Sequence, residues 1–202
     1  MKLNFIALRK AFNIFPGSVY GLISFGISII THLLGVLMYP NYNITYMAIS
    51  VLGDGYGGLI YRIGLILTGI IALPFCIFLG ATFNKNSTNG PIRKIALSGS
   101  FIYCISLILI GFFWGTNIVI SFLHGLFAFI AWVDGLIFIG FFSILMFIDS
   151  NYPRTIGVFG FYVAGTFLLH LLVFSSITQW IMTLSIMLWT WVVSSYMLYK
   201  RY

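Results

Sequence analysis

Residues 118–148 read IVISFLHGLFAFIAWVDGLIFIGFFSILMFI, an apolar run interrupted by one imidazole, His124, and one carboxylate, Asp134. At about 1.5 Å per residue a helix of this length outruns a hydrocarbon core of about 30 Å, so it must tilt, kink or extend beyond the membrane. Five more apolar segments flank it, at 18–39, 58–83, 95–114, 156–174 and 180–198. The whole chain is 61% hydrophobic and only 6% charged, with a mean hydropathy of +1.09, whereas a soluble domain carries about 25% charged residues. A chain of 202 residues folded in water could not hide that much apolar surface, so lipid is its solvent. Backbone hydrogen bonds in lipid are satisfied only by helices or closed barrels, and the short alternating strands of a barrel are missing. The expected fold is therefore all-α: a polytopic membrane protein built as a bundle of six transmembrane helices, with a structured first outer loop.

The first run, 18–39, follows Lys2, Arg9 and Lys10 and superficially resembles a secretory leader. Its length suffices to span a bilayer and it has no clear small-x-small cleavage site, so it is read as a retained helix. Cys76 and Cys104 both fall inside spans, where free thiols pack as small apolar groups; no disulfide framework follows from them.

Basic residues set the orientation. Lys2, Arg9 and Lys10 precede the first span, Lys85, Arg93 and Lys94 join the second to the third, Arg154 joins the fourth to the fifth, and Lys200 and Arg201 follow the sixth. Only Arg62 falls near the other face. By the positive-inside bias the first face is cytoplasmic, which predicts a multi-pass protein of the cell membrane with both termini inside. The net charge of +7 thus reads as topology signals and contacts for anionic lipid headgroups, with no nucleic-acid partner implied. The outer connections are then 40–57, 115–117 and 175–179, and only the first is large enough to have structure of its own. Tyr39, Tyr42, Tyr46, Tyr56, Trp114 and Trp180 at that side fit an interfacial aromatic belt. The polar, turn-rich stretch 84–90 is the expected flexible point. Glycine pairs Gly21–Gly26 and Gly135–Gly140 hint at close helix packing.

The loop after the first span contains Asn43-Ile44-Thr45-Tyr46-Met47-Ala48-Ile49-Ser50-Val51-Leu52-Gly53. Its small polar side chains can bond the loop's own backbone, and Gly53, Gly55, Gly57 and Gly58 permit tight turns. Ile44, Met47, Ile49 and Leu52 recur at a spacing compatible with one buried face of a short interfacial helix. The expectation is an ordered cap over the outer helix ends, held by Asn43, Ser50 and Asp54, with Arg62 as the charged partner of Asp54.

This stretch, read as Asn-x-x-x-x-x-Ile-Ser-x-Leu-Gly, resembles the prokaryotic domain of unknown function 998 family, grouped with the eukaryotic Frag, DRAM and Sfk membrane proteins. The six-span layout, His124 near the start of the fourth span and Trp180 opening the last extend the resemblance over most of the chain. Where many relatives have Glu before that Trp, this chain has Gln179, which sets aside a role requiring a carboxylate there. The resemblance implies a six-helix fold and no assigned chemistry.

Three histidines, His32, His124 and His170, fall in the outer thirds of different spans, roughly 6–10 Å deep at 1.5 Å per residue. Three imidazoles at one depth could ligate a transition metal, with Asp54 or water as a fourth ligand; the alternative is hydrogen bonding to neighbouring helices or loop carbonyls, since no HxxxH or HExxH pair is present. Asp134, about 24 Å from the outer end of its span, is expected to face the bundle interior and bond another helix, because a lipid-exposed charge at that depth is costly. Arg62 can pair with Asp54, hold a lipid phosphate or snorkel to the interface. Asn43-Ile44-Thr45 and Asn86-Ser87-Thr88 are glycosylation sequons, of which only the first is expected outside.

No nucleotide loop or catalytic motif accompanies the spans. The expected role is lipid binding or service as an accessory subunit beside other membrane subunits, with Asn43, Ser50, Asp54, Arg62 and Asp134 as candidate ligand-binding residues and no cofactor beyond bound lipid. Two alternatives stand beside it: a metal-dependent hydrolase acting on lipid at the outer leaflet through His32, His124 and His170, and a small proton-coupled transporter using Asp134.

Overall fold

The computed structural model describes residues 15–83 and 90–201. They form six long helices and one short one: α1 (Gly17–Leu37), a 3-10 helix (Ile49–Asp54), α2 (Gly58–Thr82), α3 (Gly90–Phe112), α4 (Ile118–Ile148), α5 (Arg154–Val173) and α6 (Ser176–Tyr199). Each long helix is apolar and long enough to cross a membrane, and the described residues contain no strand. The described residues are a multi-pass membrane bundle of six long helices. Of the residues invoked for orientation, Lys2, Arg9, Lys10 and Lys85 lie outside the described residues, as do 84–89 and with them the second sequon.

Two boundaries differ from those expected by more than two residues, for one reason. Helix α3 begins at Gly90, five residues before the apolar run, because Arg93 and Lys94 break hydropathy but not helix geometry, and Pro91 suits a first turn whose N–H groups have no acceptor anyway. Helix α6 begins at Ser176, where Ser175 and Thr178 form a reciprocal capping box. Polar residues that satisfy a helix N-terminus look like loop to a hydropathy reading.

Consecutive helices pack on one another and α6 returns to α1, closing a ring. The 40–57 connection covers one end, here called the loop end; Arg93, Lys94, Arg154, Lys200 and Arg201 gather at the other, the basic end. On α1 the buried positions Ser18, Gly21, Ser24, Ser28, His32 and Gly35 follow a spacing of three and four, so one small and polar stripe faces inward. A side chain at Gly21 would collide with Ser194 Oγ and the Phe75 ring, which shows how closely α1 and α6 approach near the basic end. Gly26 and Gly140 face open space; a spacing of five does not return to the same helix face, so only the first member of each glycine pair, Gly21 and Gly135, is packed.

The basic half of the ring is filled. Trp189, 1% exposed, stands among Phe75, Phe138 and Phe142 at centroid distances of 6.4, 6.0 and 6.5 Å, and Cys76 and Cys104 are buried as free thiols. The loop half is not filled in this way.

Candidate functional site

The loop end is closed by the segment whose sequence stood out. Tyr42 Oη accepts the Trp180 indole N–H at 2.9 Å and donates towards the carbonyls of Met47 and Ala48, 3.0 and 3.2 Å away. The Ile49 N–H donates to Gln179 Oε1 at 3.0 Å. Trp114 Nε1–H donates to Asp54 Oδ1 at 2.7 Å, and the Trp114 ring lies against Gly53 so closely that a Cβ there would overlap it. Leu52, fully buried, and Ile49, 5% exposed, point down into the ring. The cap is thereby tied to α6 through Tyr42 and Ile49 and to the end of α3 through Asp54 and Gly53.

Several details of the expected cap change. Arg62 does not pair with Asp54; its Nε–H donates to the Gly58 carbonyl one turn back at 3.3 Å, and the Asp54 acceptor is taken by Trp114 instead. The indole reaches the carboxylate from the end of α3, whereas Arg62 sits one turn down α2 and is held along its own helix. Asn43 holds no other element: its Oδ1 accepts from the Thr45 N–H and Oγ1–H at 2.9 and 2.6 Å, closing a local turn. The buried face is confined to the 3-10 helix, since Ile44 is exposed. Gly53 and Gly58 are needed for close approach, by Trp114 and by the Gly53 carbonyl respectively, and not for a positive φ, which among glycines is described only at Gly115.

Beneath this cap lies a cavity of about 130 Å³. Helix α1 contributes Ser24, Ser28 and His32; α2 Tyr61, Leu65 and Thr68; α3 Tyr103, Leu107 and Ile110; α4 His124, Ala128 and Trp132; α6 Gln179, Thr183 and Met187; and the 3-10 helix Ser50. Polar groups line it at several depths, from His32, Ser50 and Gln179 beneath the cap to Ser24, Thr68 and Thr190 further down, between apolar walls. No Asp, Glu, Lys or Arg lines it.

His32 Nδ1 lies 2.8 Å from the Ser28 carbonyl oxygen and His124 Nδ1 lies 3.0 Å from that of Phe113. A carbonyl oxygen only accepts, so each Nδ1 donates and Nε2 of each neutral ring is an acceptor; the His124 ring also contacts the Ile110 backbone. Two aromatic rings stand between these histidines: His32 meets Tyr61 at 5.0 Å, Tyr61 meets Trp114 at 6.0 Å, and Trp114 meets His124 at 4.3 Å. Neither the Tyr61 nor the Tyr103 hydroxyl, nor the Gln179 amide nitrogen, bonds another described residue.

His170 is elsewhere. Its Nδ1 is 2.9 Å from Thr178 Oγ1, its ring meets Trp132 at 4.6 Å and Phe174 at 5.4 Å, and its buried Nε2 has no partner among the described residues. It lies outside the cavity lining while Trp132, which it contacts, is part of it. Among the described residues no three His, Cys, Asp or Glu side chains converge as a metal site; His32 and His124 share a cavity that His170 does not reach. Asp134 is also outside the lining. It is partly exposed and makes no hydrogen bond to any described residue, so the bond to another helix expected of it is not formed: on α4 the buried face runs through Ala131, Gly135 and Phe138, and Asp134 falls beside that face.

Of the sequence candidates, His32, His124 and Ser50 therefore line one space and Asp54 closes it, while Asn43, Arg62, Asp134 and His170 stand apart. Ser24, Ser28, Tyr61, Tyr103 and Thr183 complete the lining without having drawn notice in the sequence; the stripe on α1 was the available signal. No family model, curated protein or solved structure matches the chain, so the residues themselves carry the functional reading.

Proposed function

We propose that the protein is a lipid-binding membrane protein whose capped cavity receives the polar end of a membrane amphiphile. The observation that carries this is a capped space of about 130 Å³, lined mainly by apolar side chains with polar groups interspersed among them. Engineered cavities of roughly 150 Å³ admit a benzene ring, so the space suits one small head group and the first atoms of a chain. A mainly apolar concavity with a few convergent polar groups is the usual form of a ligand site.

The remainder of such a ligand has one sequence-consistent way out. The loop end is latched by the cap and the basic half is filled, so a chain longer than the cavity leaves sideways, between helices, into the bilayer. The charge bias further supports a plasma-membrane orientation with the loop end outside and the basic end in the cytoplasm.

The test is lipid analysis of the purified protein against Ala128→Phe, which puts a ring into the cavity. The expected result is a stoichiometric lipid in the parent and at least a tenfold drop in the variant, with helicity retained. Equal lipid content in the two would reject the cavity as the site.

A further inference from the structure

Resting on the lipid-binding reading, we infer that the ligand's head group is uncharged and hydroxylated, as in a glycerol or long-chain alcohol head, and is neither a phosphate nor a carboxylate. Charge is the first reason. Apart from the imidazoles of His32 and His124, the lining holds no Asp, Glu, Lys or Arg that could serve as a fixed counter-ion; Asp54 is engaged with Trp114 above the cavity and Arg62 is turned along its own helix. A charged head drawn beneath the cap would lose its water and find no counter-ion, which is the least favourable way to bury a charge.

Hydrogen-bond type is the second reason, and it narrows the class. His32 and His124 donate through Nδ1 to backbone carbonyls, which makes Nε2 of each neutral ring an acceptor; that of His32 meets no donor among the described residues, while the His124 ring also contacts the Ile110 backbone. Tyr61 and Tyr103, which can donate or accept, have hydroxyls with no bond to any described residue, and the Gln179 carboxamide spends its oxygen on Ile49, leaving N–H groups that need an acceptor. A head that satisfies both kinds of group must therefore donate as well as accept. A hydroxyl does both; an ester or ketone only accepts, and an ionised carboxylate or phosphodiester only accepts while also bringing charge. The volume adds a bound: a cavity near the size that holds a six-carbon ring takes a glycerol but not a sugar phosphate with its counter-ions.

Three probes sharing one oleoyl chain separate head from tail: 1-monooleoylglycerol, oleate at pH 8, and lyso-phosphatidylglycerol, each titrated into delipidated protein in detergent and read by native mass spectrometry. The expected result is binding of the monoacylglycerol at least tenfold tighter than of either anion. Tyr61→Phe, which keeps the ring and removes only the hydroxyl, should weaken monoacylglycerol binding by about three- to tenfold, the range of one neutral hydrogen bond, and leave the weak anion binding unchanged. Equal or tighter binding of oleate or the lyso-phospholipid would overturn the head-group assignment while leaving the lipid reading in place. No binding of any probe by protein that retains its helicity would overturn both.

Discussion

Tyr42 is the residue on which the cap turns, because one hydroxyl accepts from an indole on α6 and donates to two carbonyls of its own loop. Tyr42→Phe leaves the Trp180 N–H and those carbonyls without partners, a loss of about 1–3 kcal/mol where such groups stay shielded from water. Hydrogen exchange at the Ile49 and Val51 amides should accelerate in the variant while amides in the middle of α2 keep their protection; unchanged exchange at Ile49 would show that the latch contributes nothing. Burial pushes the Tyr42 hydroxyl above its ordinary range, more than the Trp180 bond offsets. A tyrosine whose folded pKa is raised contributes stability that is complete below its free value of about 10 and is lost as pH climbs through the folded value, since a phenolate cannot donate to the Met47 and Ala48 carbonyls. The cap is accordingly expected to be insensitive to pH from 6 to 9. Asp54 offers a second check at the same scale. Asp54→Asn keeps an oxygen for Trp114 and should hold the melting temperature near that of the parent, whereas Asp54→Ala removes the acceptor and should lower it. Arg62→Ala should be nearly neutral, and a drop as large as that of Asp54→Ala would restore the ion pair that the geometry replaces.

At the scale of elements, the six spans were legible because lipid imposes one requirement, a long uncharged helix, that sequence states directly. The 118–148 run matches α4 at both ends, with Asn117 capping its start through the Val119 N–H at 2.9 Å. The cavity was not legible in the same way. A serine in an apolar run is ordinary, and Ser24, Ser28, Tyr103 and Thr183 become one lining only when α6 closes on α1, which no local pattern encodes. The half of the site that could be read was the half whose residues broke the apolar background: His32, His124, Ser50 and Asp54. The α1–α6 contact gives a test of that closure. Gly21→Leu drives a side chain into Ser194 and Phe75, and overpacking of this kind costs about 1–3 kcal/mol or more. Gly26→Leu, on the open side of the same helix, should stay within about 0.5 kcal/mol. Thermal unfolding in one detergent compares them, and equal melting temperatures would mean that the two helices do not close the ring.

At the scale of the molecule, two asymmetries coincide along the bundle axis. The loop end carries the cap, the cavity and the exposed rings of Tyr46 and Tyr56; the basic end carries the packed aromatic core and Arg93, Lys94, Arg154, Lys200 and Arg201. Positive charge near span ends is retained on the cytoplasmic side during insertion, so the site should lie towards the outer leaflet, and a ligand reaching it from the bilayer would come from that leaflet. Single cysteines test this directly, since Cys76 and Cys104 are buried and give little background. Tyr46→Cys in the cap and Ser150→Cys in the turn between α4 and α5 both occupy exposed positions. A membrane-impermeant maleimide added to intact cells should label Tyr46→Cys and spare Ser150→Cys, with both labelled once the membrane is opened by detergent. The opposite pattern would turn the cap inward, and the lipid would then have to come from the cytoplasmic leaflet, where the anionic heads that this cavity disfavours are most abundant.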